Sequence, residues 1–155
     1  MMKKQKVIPG WLFMVGLALS TPGSFASNIH DVTPKSKSIL NLRQRFPDAT
    51  DVIWREERNT FTAYYTIRGE KAISHFREDG SLDFTLLYLK KEELPIPIYV
   101  AIKKKYKGFK VTNVEEYLSK GADYYAVLIE SKTALISLKT DNNNNIEVLQ
   151  ELKKS

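Results

Sequence analysis

Apolar residues keep a helical period at two places in this chain and a strand period through most of the rest. Ile39, Leu42 and Phe46 recur at i, i+3 and i+7, one face of a short helix. Pro47 ends it, because the residue before a proline is disfavoured in helical geometry. Ile98, Ala101, Ile102 and Tyr106 lie at i, i+3, i+4 and i+8 and predict a second helix, stopped by Gly108 as a C-terminal cap. Lys103, Lys104 and Lys107 fall on its other faces, with Lys105 at the margin.

Between and after the helices the pattern alternates. Residues 52–57 predict a short strand. In 61–67, Phe61, Ala63, Tyr65 and Ile67 face one side while Thr62, Tyr64 and Thr66 face the other. Arg68-Gly69-Glu70 predicts a tight turn into a returning strand over 71–77. Glu78-Asp79-Gly80-Ser81 is the strongest local signal, an Asp-Gly pair between alternating runs that predicts a two-residue hairpin turn. The strand over 82–89 puts Leu82, Phe84, Leu86 and Tyr88 on one face. Residues 90–94 are a charged connector, and Pro95 and Pro97 frame the second helix. Strands are predicted over 110–118, 123–130, 133–139 and 146–152, with a polar turn at 141–145.

The order helix, then strands and turn, thus occurs twice, over about 36–89 and 97–152. Phe46 and Tyr106 close the helices 60 residues apart, and Tyr64-Tyr65 and Tyr124-Tyr125 open matching strands at the same interval. Asp79 and Asp141 begin the turns, 62 apart. The predicted fold class is α+β, built of tandem duplicated units, each a short helical segment packed on an antiparallel sheet.

Residues 1–26 stand apart. Lys3, Lys4 and Lys6 precede an apolar stretch from Trp11 to Leu19, and Ser24-Phe25-Ala26 places small residues at −3 and −1 of a cleavage point, the layout of a secretory signal peptide. The stretch is shorter than the roughly 20 residues that span a bilayer, so no stable membrane anchor is expected after cleavage. The expected location is periplasmic or secreted, and residues 27–155 form one domain, with a mobile polar leader over 28–38. The chain has no cysteine, which excludes disulfides, thiolate metal sites and a cysteine nucleophile. Of 24 Lys and Arg, three leave with the leader and no acid does, so 21 basic residues face 18 acids. That small excess does not point to nucleic acid as a partner.

The halves resemble the PepSY-like, beta-lactamase-inhibitor-like family of secreted bacterial proteins. The resemblance rests on Arg45-Phe46-Pro47-Asp48-Ala49, on Asp51-Val52-Ile53-Trp54-Arg55-Glu56-Glu57, on Thr62-Ala63-Tyr64-Tyr65 and on Glu78-Asp79-Gly80-Ser81. Leu94-Pro95 before the second helix and Tyr124-Tyr125-Ala126-Val127 complete it. It implies tandem helix-on-sheet units that bind or inhibit other proteins outside the cytoplasm, and it carries no catalytic set. The second half departs from the pattern: Asp141-Asn142 replaces Asp-Gly, and no tryptophan matches Trp54.

Candidate chemistry is sparse. His30 and His75 are far apart and make a weak metal site. Glu56-Glu57 and Glu115-Glu116 are adjacent on strands and so point to opposite faces, not to one substrate. No Gly-x-Ser-x-Gly elbow or Gly-rich phosphate loop is present. Residues 141–145 lack the glycine and distal glutamate of a calcium loop and read as a hydrated turn. The basic run Lys103-Lys104-Lys105-Tyr106-Lys107 reads as the solvated side of the helix, with contact to anionic lipid or polysaccharide as the alternative. The aromatic residues on strands are the least ordinary feature. Tyr64, Tyr88 and Tyr125 are the residues expected to contact a partner, with Trp54 as an anchor. The expected function is non-enzymatic binding of a protein or cell-envelope component through an aromatic sheet face, without cofactor, metal or catalytic residues. The alternatives are a small periplasmic hydrolase or metal-dependent enzyme, and a structural envelope protein.

Overall fold

The computed structural model describes residues 34–121 and 123–154. The expected signal peptide, residues 28–33 of the leader and His30 lie outside the described residues. Eight antiparallel strands form one sheet in sequence order: β1 (Thr50–Glu57), β2 (Thr60–Ile67), β3 (Glu70–Phe76), β4 (Leu82–Leu89), β5 (Lys110–Ser119), β6 (Tyr124–Glu130), β7 (Ala134–Thr140) and β8 (Ile146–Lys153). Helix α1 (Ser36–Arg45) precedes β1, and α2 (Ile96–Lys105) lies between β4 and β5. The strands do not divide into two sheets, because β4 and β5 pair through Phe84↔Ser119 to Leu89↔Val114. The α+β class holds, and the helix-then-four-strands order occurs twice along a continuous sheet.

Local chemistry accounts for the element ends. Phe46 caps α1 by donating its backbone N–H to the Leu42 carbonyl at 2.8 Å, and Pro47 follows. The helix begins at Ser36, inside the stretch expected to be mobile, because Leu42 is buried against the sheet and Ser38 beside Gly80. In α2, Pro97 occupies the first turn, where a missing N–H leaves no helical bond unmade. The β1–β2 connection is Arg58-Asn59 with φ of 50° and 65°, and β2–β3 is Arg68-Gly69 with φ of 53° and 83°, both tight two-residue turns.

The β3–β4 connection is one residue longer than expected. Arg77 N–H donates to the Ser81 carbonyl at 2.9 Å and Gly80 N–H to the Arg77 carbonyl at 2.8 Å, so the loop is Glu78-Asp79-Gly80 with Gly80 at φ 79°. Its extra residue shifts the register between His75 and Phe76, so Phe76 faces Leu82 while His75 faces Phe84. Leu82 therefore packs in the core, on the opposite face from Phe84, Leu86 and Tyr88, and not with them as simple alternation predicts.

One face of the sheet carries both helices. Leu42 and Phe46 pack with Phe61, Ala63, Tyr65, Ala72 and Phe76; Ile98 and Ile102 pack with Val114, Val127, Ile129, Ile136 and Leu138. Leu87 joins the first cluster and Leu89 the second, and alternate residues of one strand share a face, so both helices cover the same side. A chain of buried hydroxyls runs through the first cluster, with Tyr65 Oη 2.9 Å from Ser74 Oγ and Ser74 Oγ 2.8 Å from Thr85 Oγ1.

Candidate functional site

The face without helices carries a row of rings. His75 pairs with Phe84, Phe84 lies diagonal to Tyr117, and Tyr117 pairs with Tyr124. Their ring centroids are 5.3, 5.0 and 4.7 Å apart, with interplanar angles of 14°, 17° and 21°. Those separations match the spacing of neighbouring strands, so the rings stand side by side across β3, β4, β5 and β6. Lys139 on β7 extends the row, its Nζ 4.5 Å from the Tyr124 ring centre. Offset-stacked pairs contribute about 0.5–1.5 kcal/mol each beyond burial, which stiffens the row. Ring faces inside the row are taken by neighbouring rings; Tyr124 is buried at 9% exposure, and the half-buried His75, Phe84 and Tyr117 are what the row offers outward.

A second group lies beside it. The Arg55 guanidinium sits 5.0 Å from the Tyr64 ring centre. Tyr88 pairs with Glu115 across β4–β5. Burial holds the Glu115 carboxyl above the usual carboxylate range, opposed by a 2.9 Å hydrogen bond from Asn113 Nδ2. Burial raises Tyr88 too, with Glu115 and Tyr64 adding to it. Tyr124 is pushed up to about 12 by burial first and by Tyr117 and Glu115 after it. Glu115 is thus a half-buried acid ringed by tyrosines, with no ion-pair partner among the described residues. Such a group is suited to receive a cation from outside, since a buried charge gains most from a partner.

Of the four residues singled out in the sequence, the structure places two here. Tyr64 and Tyr88 are half-buried on the open face. Trp54 pairs with Ala63 on the helix side, where its ring lies 5.4 Å from that of Phe76. Tyr125 is also on the helix side, packed against the second cluster with its hydroxyl donating to Glu116 Oε1 at 3.0 Å. Alternation says which residues of a strand share a face, not which face the helices cover, and that is why these two fall on the other side. The residues that make the row, His75, Phe84, Tyr117, Tyr124 and Lys139, were not singled out. A usable signal existed in Tyr117 and Tyr124, which flank one hairpin connection and so face each other across it. Glu115 and Glu116 do point to opposite faces, as adjacent strand residues must.

Chemistry elsewhere is limited. At the 141–145 turn, Asp141 Oδ1 accepts the backbone N–H groups of Asn143 and Asn145 at 2.9 and 3.1 Å, and Oδ2 accepts Asn145 Nδ2 at 2.9 Å. Among the described residues no three His, Asp or Glu side chains converge as metal ligands. None of their helices is long and apolar enough to cross a membrane.

No family model and no curated protein matches the sequence. Solved structures match the fold. A BLIP-like protein from Bacteroides fragilis is 17% identical with a TM-score of 0.66, over 79% of this chain and 87% of that one. A DUF2874 family protein from Bacteroides ovatus is 18% identical with a TM-score of 0.64, over 79% and 89%. A Bacteroides eggerthii protein, assigned provisionally to the periplasm, is 14% identical with a TM-score of 0.62, over 79% and 90%. At such identities the likeness is one of fold. It agrees with the beta-lactamase-inhibitor-like side of the resemblance and does not show kinship with PepSY.

Proposed function

We propose that this chain is an exported, non-enzymatic binding protein that receives a partner protein on the open face of its sheet. The observation that carries the reading is the row His75-Phe84-Tyr117-Tyr124-Lys139 beside Glu115, on the face that neither helix covers. A sugar or base needs a free ring face to stack on, and these faces are spent on one another. A protein surface can use ring edges, tyrosine hydroxyls and an unpaired acid together, and rigid aromatic contacts surrounding one charged contact are typical of binding hot spots. The partner's matching group is a lysine or arginine that reaches Glu115. Where the partner is an enzyme, docking over its active-site rim inhibits it by occlusion.

The two helix-plus-four-strand units fit a tandem duplication. Helices α1 and α2 begin 60 residues apart, while the positive-φ turn residues Gly80 and Asn144 are 64 apart. The difference of four falls in the β5–β6 hairpin: β5 runs two residues longer than β1, and the connection over 120–123 is two residues longer than Arg58-Asn59.

A photo-crosslinking residue at position 64, 88 or 117, introduced in the native host, tests the reading. One common adduct from all three positions, and none from position 37 on α1, is the expected result. Adducts that do not depend on the face would sink it. Tyr117→Ala is expected to weaken the captured complex by about 30-fold or more. Glu115→Gln separates binding from catalysis: it lowers affinity for the basic partner, and a loss of turnover on any substrate would instead favour the enzyme.

A further inference from the structure

The outward side of α2 is not built as a solvent-facing side. Ile98 and Ile102 fill the core, so the opposite stripe of the helix runs through Ile96, Val100 and Lys103, with Lys107 just past its end. A helix packed on a sheet ordinarily turns polar residues outward. Here Ile96 is 77% exposed, Val100 56% and Tyr99 40%, contiguous at i, i+3 and i+4. Leu40 on α1 is as exposed, at 57%, but it stands alone, and single surface apolar residues are ordinary.

The charge along the segment that carries this ridge has one sign. Residues 96–110 contain five lysines and no acid. A cleft of about 370 Å³ opens beside the ridge, lined by Leu94, Ile96 and Tyr99 and by Lys91, Lys103 and Lys110, with Glu92 also in its lining. Lys103 Nζ is held there by a 2.7 Å hydrogen bond to the Phe109 carbonyl. Nearby acids are already engaged: Glu92 pairs with Lys91 at 3.6 Å, and Glu130, opposite Lys110 in the register, is bonded to Lys154.

We propose that this side of α2 docks reversibly on an anionic phospholipid surface. Ile96, Tyr99 and Val100 enter the boundary between headgroups and acyl chains, and the lysines meet lipid phosphates, one of them seated in the cleft at Lys103 and Lys110. A bilayer supplies apolar and anionic partners side by side, whereas a free phosphate or a nucleic acid leaves the apolar ridge in water. Tyrosine suits such a boundary because its ring is apolar and its hydroxyl polar. The docked side of α2 faces away from the open face of the sheet, so membrane contact leaves the candidate partner surface free. This inference stands independently of the binding reading.

Co-sedimentation with vesicles tests it, using chains that share one N-terminus so that the leader's own affinity cancels. Phosphatidylcholine vesicles containing phosphatidylglycerol are expected to bind the chain, and phosphatidylcholine alone much less. Each lysine near an anionic surface is worth about five-fold in partition, so Lys104→Gln with Lys107→Gln lowers binding about 25-fold. Ile96→Ser with Val100→Ser lowers it about ten-fold or more on the same vesicles. These positions are exposed, and unchanged thermal midpoints will show that the variants fold. Lys37→Gln with Arg43→Gln on α1 is expected to change binding less than about two-fold. Equal binding to neutral vesicles, an equal loss in the α1 variant, or no loss in either α2 variant would overturn the proposal. So would release from vesicles by millimolar inorganic phosphate at constant ionic strength, which would make the cleft a site for the free ion.

Discussion

Beneath α1 the sheet is floored with rings and hydroxyls; beneath α2 it is floored with branched aliphatic side chains. Phe46, Phe61, Tyr65 and Phe76 surround the chain of Tyr65, Ser74 and Thr85 hydroxyls, and Trp54 seals the edge. At the other end Ile98 and Ile102 meet Val114, Val127, Ile129, Ile136 and Leu138, with the rings of Tyr106, Phe109 and Tyr125 at the margin. The helices are held differently as well. Asn41 Nδ2 donates to the Gly80 carbonyl at 2.8 Å, and Lys35 Nζ bonds the Glu78 carbonyl, so α1 is tied to the β3–β4 turn by directional bonds. Helix α2 relies chiefly on its apolar seam, and its outer side is apolar at its start and basic at its end. On the open face, positions 60 apart carry opposite charges: Arg55 beside Tyr64, and Glu115 beside Tyr124. The lesson is that one layout is stabilised with different emphasis, apolar burial plus hydrogen bonds from α1 to a turn in the first half and chiefly apolar burial under α2 in the second. The helix that makes no hydrogen bond to a hairpin turn among the described residues is the one whose exterior carries the apolar ridge.

The largest effects should come from emptying either core. Phe76→Ala is expected to lower the unfolding free energy by about 3–5 kcal/mol and Ile102→Ala by about 2–5 kcal/mol, read by urea denaturation. A loss under about 1 kcal/mol in either would break the claim that both helices are held by burial.

Ser74→Ala probes the directional half. It removes the hydroxyl that both Tyr65 and Thr85 bond and should cost about 1–3 kcal/mol, although the side chain removed is small. A near-zero cost would make the two cores energetically alike.

The turns sharpen the contrast further. At Gly80, φ is 79° and an added Cβ would lie 2.9 Å from Lys37 Cβ, so Gly80→Ala is expected to destabilise by about 1–3 kcal/mol. Asn144 has φ 61° in the matching turn and already tolerates that conformation, so Asn144→Gly should stay within about 0.5 kcal/mol. Thermal melting of both variants decides it.

The smallest effect is alkaline. Burial pushes Tyr124 and Tyr125, both in the second half, up to about 12. The unfolded chain ionises its tyrosines near 10, so the neutral form is favoured only in the fold. Their contribution is complete below about pH 10 and declines as pH rises from 10 towards 12. Urea midpoints measured from pH 9 to 11.5 should fall, and the fall should be shallower in Tyr124→Phe. An unchanged slope in that variant would contradict the desolvation of Tyr124.

Much of the fold was legible in the sequence. Both helices and all eight strands lie within about three residues of where periodicity predicts them, because a 3.6-residue or two-residue repeat is a local property. The turn at Gly80 was legible in position but not in length, since the choice between two and three loop residues depends on α1 packing against it. Ser38 looked like part of a polar leader and is buried, because a small hydroxyl residue gives no sign of the close approach between α1 and that turn. The candidate site was half legible. Tyr64 and Tyr88 carry a pattern that puts them opposite the core, but the stacking of Phe84 on Tyr117 depends on two strands meeting after a 20-residue excursion through α2.

By itself the sequence determined the spacing of its elements, the absence of cysteine chemistry and the supply of rings on strands, since each is set by residue type and near neighbours. Tertiary structure alone decided that the eight strands join in one sheet, that both helices lie on one side, and so which rings remain outside. Those outcomes depend on register between distant segments, where a shift of one residue turns every side chain of a strand to the other face.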